Sequence, residues 1–131
     1  MKYLLDTGVW LWSNFEPERL SPKAESILED LGNELFLSAA SAWEIAIKFA
    51  AGKLHLPEPP SSYVPRRMAD QGIRPLAVSH HHSLALAALV RHHRDPFDRL
   101  LVVQASLENM ILVTSDRLLE RYPVQLLWAG K

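Results

Sequence analysis

Short, unbroken apolar runs alternate along this chain with stretches of helical period, and that alternation limits its fold more than any other feature. Lys2–Leu5, Leu35–Ser38 and Met110–Thr114 are too short for helices and apolar at successive positions, the pattern of strands buried on both faces. Two further strands are expected at 73–78, where Pro75 argues for an edge or a strand end, and at 124–128. Between them the spacing predicts helices. A short one covers 9–14; Ser21-Pro22 opens another that closes at Gly32; Ser41 begins a third that runs to Gly52. Helices are also expected over 61–70, from the Ser79 cap to His92-His93, from Asp95-Pro96 to Asn109, and over 116–121. Strand–helix alternation of this kind predicts an α/β fold with a parallel sheet covered on both faces, whose ligands gather beyond the carboxyl ends of the strands.

At 131 residues the chain is expected to form one domain, 1–131, and the stiff Leu56–Pro60 segment is a connection within it. No apolar run approaches the ~18 residues of a membrane span. Met1-Lys2 leads straight into a strand, with no basic and apolar leader, so a cytoplasmic location is expected. The absence of cysteine excludes disulfides, thiolate metal sites and a cysteine nucleophile. With 14 basic and 15 acidic residues the formal charge is -1, so any attraction to nucleic acid must be local.

Four carboxylates stand in apolar surroundings: Asp6 after Tyr3-Leu4-Leu5, Glu44 within Ala42-Trp43-Glu44-Ile45-Ala46, Asp98 after Phe97, and Asp116 behind Ile111-Leu112-Val113-Thr114-Ser115. Burying such charges costs several kcal/mol, roughly, unless they are paired or bind metal. Mg²⁺ or Mn²⁺ is the simplest remedy. Each acid also has a purely structural reading. Asp6, Asp95 and Asp116 suit helix N-caps, Asp98 suits a first helical turn, and Glu44 has a capping-box spacing from Ser41 and an ion-pair spacing to Lys48. The expected topology, however, brings all four to one edge of the sheet.

Tyr3-Leu4-Leu5-Asp6-Thr7, Ser38-Ala39-Ala40-Ser41-Ala42-Trp43-Glu44-Ile45, His93-Arg94-Asp95-Pro96-Phe97-Asp98-Arg99-Leu100-Leu101 and Thr114-Ser115-Asp116 occur in that order. Through these segments, nearly end to end, the chain resembles PIN-domain ribonucleases, in particular the toxin subunits of VapBC-type toxin–antitoxin pairs. The resemblance implies a PIN-like three-layer α/β/α sandwich with a central, mostly parallel sheet. It further implies an acidic pocket of Asp6, Glu44, Asp98 and Asp116 that binds Mg²⁺ or Mn²⁺ and cuts RNA phosphodiesters, with Asp95 as an additional acid nearby. A cognate VapB-type antitoxin and a toxin homodimer are implied as partners. Val103 stands where many relatives carry alanine, a change expected to affect packing alone.

On this reading Asp6, Asp98 and Asp116 hold the metal, and Glu44 orients a water or acts as general base. Thr7, Thr114 and Ser115 are expected to fix carboxylate rotamers. Arg99 and Lys48 are candidates for substrate phosphates, with ordinary ion pairs as their alternative; Arg91 and Arg94 are read as solvated charges at a helix end. Consecutive helical positions point about 100° apart, so His80-His81-His82 makes a poor metal tract, and His93 is expected to pin the Asp95 turn. Trp10, Trp12 and Trp43 are expected in the core, unless Trp10 or Trp12 lines a partner groove. Two alternatives compete: a PIN-like RNA- or protein-binding module without catalysis, which would lack an acid, and a receiver-like Mg²⁺-binding signalling domain, which would pair acids after the first strand. Neither signature is present.

Overall fold

A computed structural model describes residues 1–131. The strands are β1 (Lys2–Leu5), β2 (Glu34–Ser38), β3 (Arg74–Leu76), β4 (Ile111–Thr114) and β5 (Leu126–Trp128), and the helices are α1 (Thr7–Phe15), α2 (Pro22–Glu29), α3 (Ala39–Ala50), α4 (Pro60–Gln71), α5 (His80–Ala85) and α6 (Pro96–Leu107). All five strands pair in parallel in the order β3-β2-β1-β4-β5. Pro75 sits on the edge strand, where a missing ladder donor is tolerated.

Alternation along the central strand explains the layering. Tyr3 and Leu5 point to one face, into a cluster with Val9 and Trp10 of α1, Ala24 of α2, Ile45 of α3 and Tyr63 of α4. Leu4 points to the other, against Leu101, Val102 and Ala105 of α6, with α5 packed on α6. Strands apolar on both faces thus become the middle of a three-layer α/β/α sandwich. Because β1, β2 and β4 are adjacent and parallel, the residues that follow them emerge at one edge. Asp6 follows β1, α3 follows β2, and Asp116 follows β4. No helix is long and apolar enough to cross a membrane.

Several boundaries differ from expectation. Ser38, not Ser41, caps α3 by accepting from Ala40 N, so Ser41 lies inside the helix and forms no capping box with Glu44. The stretch after Ser79 is helical only to Ala85, continues as a 3₁₀ turn over Leu86–Ala88, and is irregular through Arg94, so Arg91 and Arg94 end no helix. Long-range bonds hold that loop instead: Tyr122 Oη accepts from His92 N and His93 N, and Arg99 donates to Leu89 O. Residues 117–121 form a 3₁₀ turn, and α2 ends at Glu29 instead of reaching Gly32. Trp10 is fully buried and Trp12 half-buried, but Trp43 is 62% exposed, contrary to its expected place in the core.

Candidate active site

Asp6 is the N-cap of α1. Its Oδ1 accepts from Val9 N at 2.7 Å and its Oδ2 from Thr114 Oγ1 at 2.5 Å. Burial pushes this carboxyl upward, helped by the repulsion of Glu44, despite those bonds and a further one from the Ser115 backbone. Thr114 is shared, since its hydroxyl oxygen also accepts from Asp116 N at 3.1 Å. One β4 side chain therefore ties the loops after two neighbouring strands. Thr7 donates its hydroxyl to Ser41 Oγ at 2.9 Å and joins the first turn of α1 to α3. That buried bond fixes the helix carrying Glu44 beside Asp6. Ser115 acts on Asp6 through its backbone, and its hydroxyl stands about 4.0 Å from where a Cβ on Gly8 would lie.

Glu44 is buried, and its Oε2 accepts from Lys48 Nζ at 2.7 Å, one helical turn away. This bond raises the Lys48 pKa, and the charges of Asp95 and Asp98 add to the effect. Lys48 is thus engaged by an acid of the cluster, the ion-pair alternative of the sequence reading. Asp95 caps α6 by accepting from Phe97 N at 2.8 Å, and Asp116 caps the following 3₁₀ turn by accepting from Leu118 N at 3.0 Å. Arg99, the other candidate for substrate phosphate, donates through Nη2 to Leu89 O at 3.2 Å and braces the loop before α6.

Asp98 differs from its neighbours. It accepts no hydrogen bond, and its nearest donor is His93 Nε2 at 3.4 Å. Its pKa is raised to about 7, chiefly by burial and then by the nearby charges of Asp95, Asp6 and Glu44, against a lowering by His93. A carboxylate that is desolvated, surrounded by like charges and without a donor is what a divalent cation relieves.

His93 belongs to this cluster, and sequence reasoning missed that half of its role. The expected pin on the Asp95 turn is present, since Asp95 N donates to Nδ1 at 2.9 Å. The other nitrogen, Nε2, lies 2.6 Å from Asp116 Oδ2, and ligand atoms of His93, Asp98 and Asp116 all lie within 4.8 Å of one another. A histidine two residues before a helix cap signals the turn; no sequence spacing signals an acid 23 positions later. The other histidine trio has no such role: His80 and His81 are exposed, while buried His82 forms a capping box with Ser79 and contacts Glu108 at 2.9 Å.

A parallel three-layer sandwich with acids from four elements at the carboxyl edge of its sheet defines a class of acid-pocket α/β domains. Comparison with known proteins gives that class a family. The PIN domain profile matches residues 3–125. Over 123 residues, 91% of this chain and 90% of the relative, the sequence is 32% identical to Ribonuclease VapC22 of Mycobacterium tuberculosis. Over 61 residues it is 52% identical to Ribonuclease VapC16 of the same organism, a match spanning 47% of this chain and 43% of that protein. The fold matches a chain in the crystal structure of VapBC2 from Rickettsia felis bound to a promoter DNA fragment, with a TM-score of 0.74 and 19% identity over 99% of this chain and 100% of that one. The protein belongs to the PIN-domain family and groups with its VapC-type members.

Proposed function

We propose that this chain is a Mg²⁺- or Mn²⁺-dependent endoribonuclease, the toxin of a toxin–antitoxin pair, with Asp6, Glu44, Asp98 and Asp116 as its catalytic acids. The observation that carries this reading is Asp98, half-buried, without a hydrogen-bond donor and with a pKa of about 7, at the edge where Asp6 and Asp116 also stand. Similarity to proteins named ribonuclease supplies the substrate class. The donor set fits the ion. It consists of carboxylate oxygens with no thiolate, the chemistry that hard divalent cations prefer.

Asp6, Asp98 and Asp116 would hold the cation. Once bound, such an ion acidifies water and neutralises charge on a phosphoryl group. The chain's own groups set the stage for that chemistry. Thr114 fixes the Asp6 rotamer through Oδ2 and the Asp116 backbone through its amide. Glu44 orients a water or accepts its proton once Lys48 turns to a substrate phosphate, an exchange open to Lys48 because its side chain is 50% exposed. Asp95 secures the start of α6 and adds negative potential at Asp98.

A single sheet collects every strand, in keeping with residues 1–131 working as one domain. Likeness to a chain of a VapBC2 complex supports a VapB-type antitoxin as partner. Exposed Trp43 and Ile47 on α3 offer apolar surface that pairing with a second copy would cover. The test is incubation of purified, antitoxin-free protein with cellular RNA, with and without Mg²⁺ or Mn²⁺. Metal-dependent cleavage lost in both folded Asp6→Asn and folded Asp98→Asn is expected. Cleavage that survives either substitution, or that needs no metal, would contradict the assignment. Expression should arrest growth, and co-expression of a neighbouring small partner should relieve it.

A further inference from the structure

We propose that His93 is a positioning residue of the acid pocket: its imidazole is fixed as the Nε2–H tautomer, donates to Asp116, and stays out of the coordination of any cation the acids hold. Proximity alone suggests otherwise, since Nε2 lies as close to Asp98 and Asp116 as a third ligand would. The hydrogen bonds decide against it. A backbone N–H can only donate, so Asp95 N, 2.9 Å from Nδ1, requires a lone pair on that nitrogen. The ring's one proton then sits on Nε2, where it meets Asp116 Oδ2 at 2.6 Å. Ligation through Nε2 would need that proton moved to Nδ1, against the Asp95 amide.

The ring has little freedom to escape this arrangement. Tyr122 Oη accepts from the backbone of His92 and His93, and Arg99 holds Leu89 O, so the loop is tied at both ends. Asp116 is fixed from two sides in turn, by His93 at Oδ2 and Leu118 N at Oδ1. Since the His93 proton is directed to Asp116, Asp98 at 3.4 Å is left without a donor and free for a cation. The inference deepens the proposed function, on which only its cation clause rests.

Two measurements test it. Long-range ¹H–¹⁵N NMR of the imidazole should show the Nε2–H tautomer in metal-free protein and after Mg²⁺ addition; an Nδ1–H or doubly protonated ring in either state overturns the proposal. Mn²⁺ titration followed by electron paramagnetic resonance should show no directly bonded nitrogen. His93→Leu should weaken Mn²⁺ binding about 10- to 100-fold, the usual effect of removing a group that orients a ligand, while His93→Gln, whose amide nitrogen can still donate to Asp116, should stay within about threefold of wild type. Equal losses in both variants, no loss in either, or a nitrogen coupling to Mn²⁺ would each overturn it. Wild-type protein that binds no Mn²⁺ would end the cation reading, and the metal-free tautomer would still decide the role of His93.

Discussion

Asp98 carries the largest consequence of any one side chain. Its folded pKa of about 7 lies above the ~3.9 of an unfolded aspartate, so the folded chain binds its proton more tightly than the unfolded chain does. The stability tied to that proton is complete below about pH 4 and lost as pH rises through about 7. Denaturant melts in chelator across this window should therefore show falling stability toward neutral pH, and saturating Mg²⁺ should restore it. Asp98→Asn should flatten the decline and raise metal-free stability near neutral pH while lowering Mg²⁺ affinity. An unchanged pH profile in the variant would contradict the assignment of this strain to Asp98. Thr114→Val tests the neighbouring link. Loss of the hydroxyl removes a 2.5 Å donor from Asp6 and an acceptor from Asp116 N, so stability should fall by ~1–3 kcal/mol and RNA cleavage by at least about tenfold. Wild-type rates in that variant would mean that Thr114 does not hold the acids in place.

Among the elements, α6 acts as a strut as well as a cover. Gln104, fully buried, accepts from Ser38 Oγ at 2.6 Å and donates to Ala77 O at 3.2 Å, joining α6 to the residue that caps α3 and to the approach of α5. Gln104→Leu would strand those partners and should lower the unfolding free energy by ~1–3 kcal/mol, with Mn²⁺ affinity of the folded protein unchanged. A loss of metal binding without a loss of stability would show that the strut reaches the pocket. Element existence was legible because buried strands and capped helices leave local marks: Ser21-Pro22 and Asp95-Pro96 both start helices as read. Boundaries set from afar were not. Ser38, read as a strand end, caps α3 instead, while Ser41 meets Thr7 across 34 positions. The helix expected after Ser79 stops early, and the segment beyond it is claimed by Tyr122 and Arg99. Trp43 was misread because an aromatic at helical spacing does not reveal whether a second layer covers it; here it meets Phe97 edge-on at 5.2 Å and remains largely open.

For the molecule as a whole, parallel pairing of β1 with both β2 and β4 turns acids up to 110 positions apart into neighbours, as 116 less 6 gives. This much could be read from sequence, because strand alternation fixes where carboxyl ends emerge. The sharing of one histidine between Asp95 and Asp116 could not, since it depends on the path of a loop held by a tyrosine 29 residues away. Likewise Arg99, beside Asp98 in sequence, is turned to Leu89 by the helix that carries both. The account's central claim is that the gathered carboxylates make one cation site. The most direct measurement is anomalous X-ray scattering from crystals of the protein soaked in Mn²⁺. A peak within bonding distance of Asp98, Asp6 and Asp116 oxygens, abolished in Asp98→Asn crystals, is the predicted result; no peak there at saturating Mn²⁺, or one that persists in the variant, would contradict it.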